Sequence, residues 1–160
     1  MKFLPEHKER AYLALELAQK EVIHLAYTHH TLFAQTLNLE WVHSLNEHEE
    51  QSEKIDAFVS RFGRLQDHIG EKLIPRFAAL LGESPKSLLD VLAYAERMGW
   101  IDDAETFVST RKLRNLLVHE YMANARLFLE TLQSADKATL MLIAVVDRII
   151  QYAKNINLID

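Results

Sequence analysis

Between Ile55 and Leu73 the apolar residues fall at Ile55, Phe58, Val59, Phe62, Leu65, Ile69 and Leu73, steps that gather them on one face only if the chain is an α-helix. The same spacing recurs along most of the sequence. Glycine occurs 4 times and proline 3 times in 160 residues, at points that read as punctuation. No run alternates apolar and polar residues over four or more positions, so strands are not expected. The fold class that follows is all-α: an antiparallel bundle of four to five long helices forming a single domain over 1–160.

The individual elements can be drawn. Pro5 suits a first helical turn, and Leu13, Leu17 and Leu25, with Ala14, Ala18 and Ile23 between them, carry a helix from Pro5 to about Thr28. Residues 29–47 are less regular. A second long helix runs from about Glu49 to Leu81, kinked at Pro75 and ended by Gly82. Ser84-Pro85 reads as a cap with proline at the first helical position, opening a helix from Pro85 to Met98 that Gly99 closes. Asp102 and Glu105 have capping-box spacing and launch a helix over roughly Asp103 to Tyr121. Ser134 is expected to cap a last helix running to about Asn155.

Composition removes several function classes. Nearly half the residues are hydrophobic (49%), which suits a packed core and not a disordered chain. With no cysteine there is neither a disulfide nor a thiolate metal site, in keeping with a reducing cytoplasm. His24, His29, His30, His43 and His48 fit no standard ligand spacing, so no metal is expected. The start of the chain shows no signal-peptide pattern. The most apolar run, from Ala138 to Ile150, is about 13 residues, short of a bilayer span, and no membrane association is expected. The formal net charge of −5 means that any contact with nucleic acid must be local.

The chemistry is concentrated at Arg114-Asn115-Leu116-Leu117-Val118-His119-Glu120-Tyr121. An always-cationic fork, a group titrating near neutrality and a phenol lie within eight positions. On a regular helix residues seven apart differ by about 20°, so Arg114 and Tyr121 share a stripe with Arg111 and Val118. Leu113, Leu116 and Leu117 are expected to face away from it and anchor the helix. Residues five apart differ by about 140°, so Arg114 and His119 point in different directions on an unbroken helix. Either the helix distorts near its end, or the site is composite and a two-fold axis brings a second copy alongside. In a homodimer of face-to-face helices, two arginines and two histidines meet in one cleft. Such a cleft suits RNA, which carries its own nucleophile: one histidine takes the 2′-hydroxyl proton, another protonates the leaving 5′-oxygen, and arginine neutralises charge building on the phosphate. Asn115 is a supporting residue. No cofactor is needed, and DNA, without the 2′-hydroxyl, is not expected as a substrate.

The segment from Leu113 through Tyr121 resembles the R-x4-H-x-Y motif of the HEPN superfamily (higher eukaryotes and prokaryotes nucleotide-binding) in its HepT-type toxin branch. The resemblance implies an α-helical bundle, a homodimer and a metal-independent ribonuclease acting on tRNA or mRNA at the dimer interface. It implies a type VII-like toxin–antitoxin pair whose partner, a minimal nucleotidyltransferase antitoxin, transfers AMP to the motif tyrosine. Carried over, Arg114 and His119 become the catalytic pair and Tyr121 the AMPylation target. An alternative from related bundles is a non-catalytic, nucleotide-binding accessory subunit of a nucleotidyltransferase.

Around the motif, Arg111, Lys112 and Arg64 are candidate RNA contacts. Arg61, Arg64 and His68 share a stripe of the second long helix, with Asp67 placed to hold the motif arginine. Trp41 and Trp100 are read as core or interface anchors.

Overall fold

The structure is a computed structural model that describes residues 2–121 and 123–160. Among the described residues every regular element is helical. A 3₁₀ turn at Pro5–His7 leads into α1 (Lys8–Phe33). α2 (Leu39–Ser44) and a second 3₁₀ turn, Leu45–Glu47, connect to α3 (Glu49–His68). The chain continues through a π-helical turn, Ile69–Leu73, into α4 (Ile74–Leu80), then α5 (Leu88–Arg97), α6 (Ala104–Glu120) and α7 (Ala125–Asn155).

The long helix expected from Glu49 to Leu81 is thus present, with its irregularity one turn ahead of Pro75. Proline lacks the N–H that would bond the Glu71 carbonyl, and its ring would press against that carbonyl. A wider π turn over 69–73 relieves both problems without breaking the rod. Gly82, at φ 88°, then ends it: Glu83 N–H reaches the Ala78 carbonyl at 2.8 Å. Gly99, at φ 76°, closes α5 in the same way, with Trp100 N–H on Ala95 O at 3.0 Å.

Three expected helix starts are displaced. α5 is capped by Ser87, which accepts from Asp90 N–H, so Ser84-Pro85 lies in the preceding loop. α6 is capped by Asp103, one residue past Asp102: its carboxylate accepts from Thr106 N–H at 2.7 Å and from the Thr106 hydroxyl at 2.9 Å. Asp102 instead meets Arg148 of α7 at 3.0 Å. α7 begins at the Asn124 cap, and Ser134 lies in its interior. α1 extends to Phe33, beyond the expected end near Thr28.

α1, α3, α6 and α7 enclose one core. α1 packs on α3 and α7, and α6 packs on the same two helices from the opposite corner. α1 and α7 are antiparallel, since Lys2 reaches the Asn155 carbonyl at one end while His29 meets Asp136 at the other. Phe58, Phe62, Phe77, Phe107 and Phe128 are fully buried. Trp100 is 2% exposed and stands edge-on to Phe77, Tyr94 and Tyr152, joining α4, α5 and α7, while Trp41 is half-buried. Burial there pushes the Tyr94 phenol up to about 12. No helix is long and apolar enough to cross a membrane among the described residues.

Candidate functional site

α3 and α6 run antiparallel and leave between them an open groove of about 720 Å³. Its α6 wall is Arg114, Leu117, Val118 and Tyr121, the i, i+3, i+4, i+7 set of one helical face. Leu117 therefore shares the face of Arg114 and Tyr121, against the expectation that it points away; it is fully buried at the groove floor. Leu113 and Leu116 are half-buried. The α3 wall comprises Ser52, Asp56, Val59, Ser60, Arg64 and Asp67.

Charge divides the groove into two ends. At one end Arg114 lies over Gly63, and its Nη2 stands 3.9 Å from Asp67 Oδ2, with Arg64 on the same wall. Both members of that ion pair are more than a third exposed, so it orients the guanidinium and adds at most about 1 kcal/mol. At the other end Tyr121 is surrounded by Glu49, Asp56 and Ser52. Its ring packs on Phe128 with centroids 5.1 Å apart. Burial raises the Tyr121 phenol above its ordinary value; Ser52 partly offsets this, and the nearby carboxylates of Asp56 and Glu49 add to it. The phenol is therefore neutral at physiological pH and needs an external base to act as a nucleophile.

His119 is exposed and does not line the groove; Asn115, Arg111 and Lys112 are exposed too. α6 is continuous from Ala104 to Glu120, so no helical distortion turns His119 toward Arg114 within one chain. The regular helix keeps Arg114 and His119 on separate faces of α6. Val118 beside them is 52% exposed, an apolar residue on the rim of the groove.

The stripe Arg61, Arg64, His68 is divided by the packing. Arg61 turns to α1, donating to the His24 carbonyl and the Thr28 hydroxyl. His68 is buried, its Nε2–H donating to the Ala14 carbonyl at 2.7 Å. Burial lowers its pKa, the Ala14 hydrogen bond opposes this, and Lys72 and Arg76 reinforce it. His68 is a core residue facing away from the motif, and only Arg64 reaches the groove.

Sequence reasoning missed the acidic end. Glu49, Ser52, Asp56, Val59 and Ser60, then Gly63 and Asp67, recur at helical spacing along α3. That polar stripe, interrupted by one helix-interior glycine, is the signal that marks a second wall. No protein-family model, curated protein or solved structure matches this chain.

Proposed function

We propose that the chain is a metal-independent endoribonuclease of HEPN type, active as a homodimer in the cytoplasm, and that it is the toxin of a type VII-like toxin–antitoxin pair. The observation that carries the reading is the disposition of Arg114 and His119. Both reach solvent from one unbroken helix, yet they diverge by about 140°, so one phosphate can meet both only across two chains. Arg114, steadied by Asp67, supplies a fork for the non-bridging phosphate oxygens. His119 of one chain takes the 2′-hydroxyl proton as O2′ bonds to phosphorus. The P–O5′ bond breaks, and the partner's His119 returns a proton to the leaving oxygen. The product is a 2′,3′-cyclic phosphate.

Tyr121 fits the role of AMP acceptor because it opens onto the groove that Arg114 lines. An AMP there places bulk and negative charge in the substrate's path. The phenol is neutral, so on this reading the activating base comes from a cognate minimal nucleotidyltransferase antitoxin.

The decisive experiment incubates the purified chain with tRNA and mRNA in chelator, beside Arg114→Ala and His119→Ala. Cleavage by the parent alone supports the reading. An inert parent whose intact mass shows no modification overturns it. The groove itself favours a second reading, a non-catalytic nucleotide-binding subunit: about 720 Å³ holds a nucleotide, with Arg64 and Arg114 at its phosphate end. Saturable binding of AMP or ATP without cleavage, lost in Arg114→Ala, supports that alternative.

A further inference from the structure

α1 is buried along Ala11, Ala14, Leu15, Ala18 and Leu25, yet its opposite face is also apolar. Tyr12, Leu13, Leu17, Ile23 and Tyr27 are all exposed, Ile23 to 67% and Tyr27 to 70%. Among the described residues they are five of the nine exposed large hydrophobic side chains, so the apolar surface is concentrated on this helix and not scattered.

The outer face has the grammar of a coiled-coil seam. Glu9, Leu13, Glu16, Lys20, Ile23 and Tyr27 follow one another in alternating steps of four and three. The charges within the seam select its occupant. Glu16 and Lys20 form a half-exposed ion pair at 3.4 Å in the middle of the row. If a second α1 lay parallel, Glu16 would face glutamate and Lys20 lysine. If it lies antiparallel about an axis level with Ala18, every seam position meets another seam position: 9 meets 27, 13 meets 23 and 16 meets 20. Glu16 then faces an ammonium, Leu13 faces an aliphatic residue, and Glu9 faces the Tyr27 phenol. Polar seam residues set register and orientation in such pairs more than they add stability.

We infer that the outer face of α1 is a self-association surface that pairs antiparallel with the same helix of a second copy, Leu13 against the partner's Ile23 and Glu16 against the partner's Lys20. α1 and α6 occupy opposite corners of the bundle, so this contact leaves the Arg114 groove free. Added to the dimer proposed across the Arg114 groove, this face builds assemblies larger than a dimer. The inference does not rest on the ribonuclease reading.

The chain has no cysteine, which gives a clean test. The full-length Leu13→Cys/Ile23→Cys double variant, with its helix content checked by circular dichroism, is oxidised and read on a non-reducing gel and by intact mass. An interchain disulfide dimer is expected. Neither single variant is expected to cross-link, because like positions lie about 15 Å apart along antiparallel helices, beyond disulfide reach. A folded double variant that stays monomeric under oxidation overturns the proposal, and so does efficient dimerisation of Leu13→Cys alone. In sedimentation, Glu16→Lys weakens the association several-fold and Glu16→Lys/Lys20→Glu restores it; a Glu16→Lys chain that associates as tightly as the parent also overturns it. Binding to phosphatidylcholine–phosphatidylglycerol vesicles without any cross-link assigns the face to a lipid surface instead and overturns it likewise. Arg114→Ala and His119→Ala leave the cross-linking yield unchanged, so failure here and failure of the ribonuclease reading are separate results.

Discussion

Gly63 makes the shelf on which Arg114 lies: a Cβ at that position would stand 3.0 Å from Arg114 Nε and 3.3 Å from its Cγ. The glycine sits within α3, where it costs roughly 0.5–1 kcal/mol of helix stability relative to alanine. Gly63→Ala therefore separates site geometry from folding. The flexible arginine swings away to clear the new methyl group, so the melting temperature holds or rises while the guanidinium leaves its place beside Asp67. Thermal melts and a tRNA-cleavage or nucleotide-binding titration on the same preparation check this. A variant that is destabilised, or one as active as the parent, refutes the shelf.

His68 provides a pH dependence with a definite sign. Its folded pKa lies below the ordinary imidazole value because burial disfavours the charged ring. Between the folded and unfolded values the unfolded chain binds more protons, so stability rises with pH across that window. Below the ordinary value of 6.5 the contribution of neutral His68 is progressively lost, until the folded value is passed. His68→Gln keeps a donor for the Ala14 carbonyl but cannot titrate. Urea midpoints measured from pH 7.5 down to 5 (both values about neutral and mildly acidic) are expected to fall more steeply for the parent than for the variant.

The helix starts show how far the sequence was legible. Periodicity located α1 and α3 because burial of one face is a property of the local pattern, and the capping pattern located α6. Caps are different: Asp102 and Asp103, or Ser84 and Ser87, offer the same acceptor chemistry, and tertiary contacts choose between them. Asp102 is drawn to Arg148 of α7, which leaves Asp103 to receive Thr106 N–H. The start of α7 was hidden behind Ser134, although Phe128, Leu132, Ala135, Thr139 and Leu142 are all buried at helical spacing. The Arg114–Tyr121 stripe was legible from spacing alone, whereas its α3 wall depended on how two distant segments pack.

The choice of cap is testable. The Asp103 carboxyl is held below its ordinary pKa by the Thr106 backbone N–H and then the Thr106 hydroxyl. That contribution is present above the unfolded pKa and is lost as pH falls through the folded one. At neutral pH Asp103→Ala is expected to lower the melting temperature by loss of the cap, whereas Asp102→Ala, losing an exposed ion pair, leaves it nearly unchanged. The reverse order returns the cap to Asp102.

Tyr121 separates structure from modification. Its ring packs on Phe128 and its hydroxyl faces the acidic end of the groove. Tyr121→Phe keeps the ring packing, so its stability stays within about 1 kcal/mol of the parent. Tyr121→Ala removes the ring from a half-buried site and costs about 2 kcal/mol. On co-expression with a minimal nucleotidyltransferase, the parent is expected to gain AMP in its intact mass and Tyr121→Phe is not. A mass gain that survives in Tyr121→Phe identifies another acceptor.

The composite site makes a prediction that no single-chain site shares. Arg114→Ala carries an intact His119, and His119→Ala carries an intact Arg114. If one phosphate is gripped by Arg114 of one chain and attacked with help from His119 of the other, each homodimer is inert. A heterodimer of the two variants restores one Arg114 facing one His119 across the interface, but lacks the second histidine that protonates the leaving oxygen. Equal mixing with subunit exchange makes about half of the dimers mixed, so cleavage returns above that of either homodimer and stays below about a quarter of the parental rate. Unfolding and refolding the two proteins together ensures the exchange, and the cleavage rate on tRNA in chelator is the readout. A mixture as inactive as its components places both groups' action within one chain, which the continuous helix between Arg114 and His119 does not allow without a change in α6.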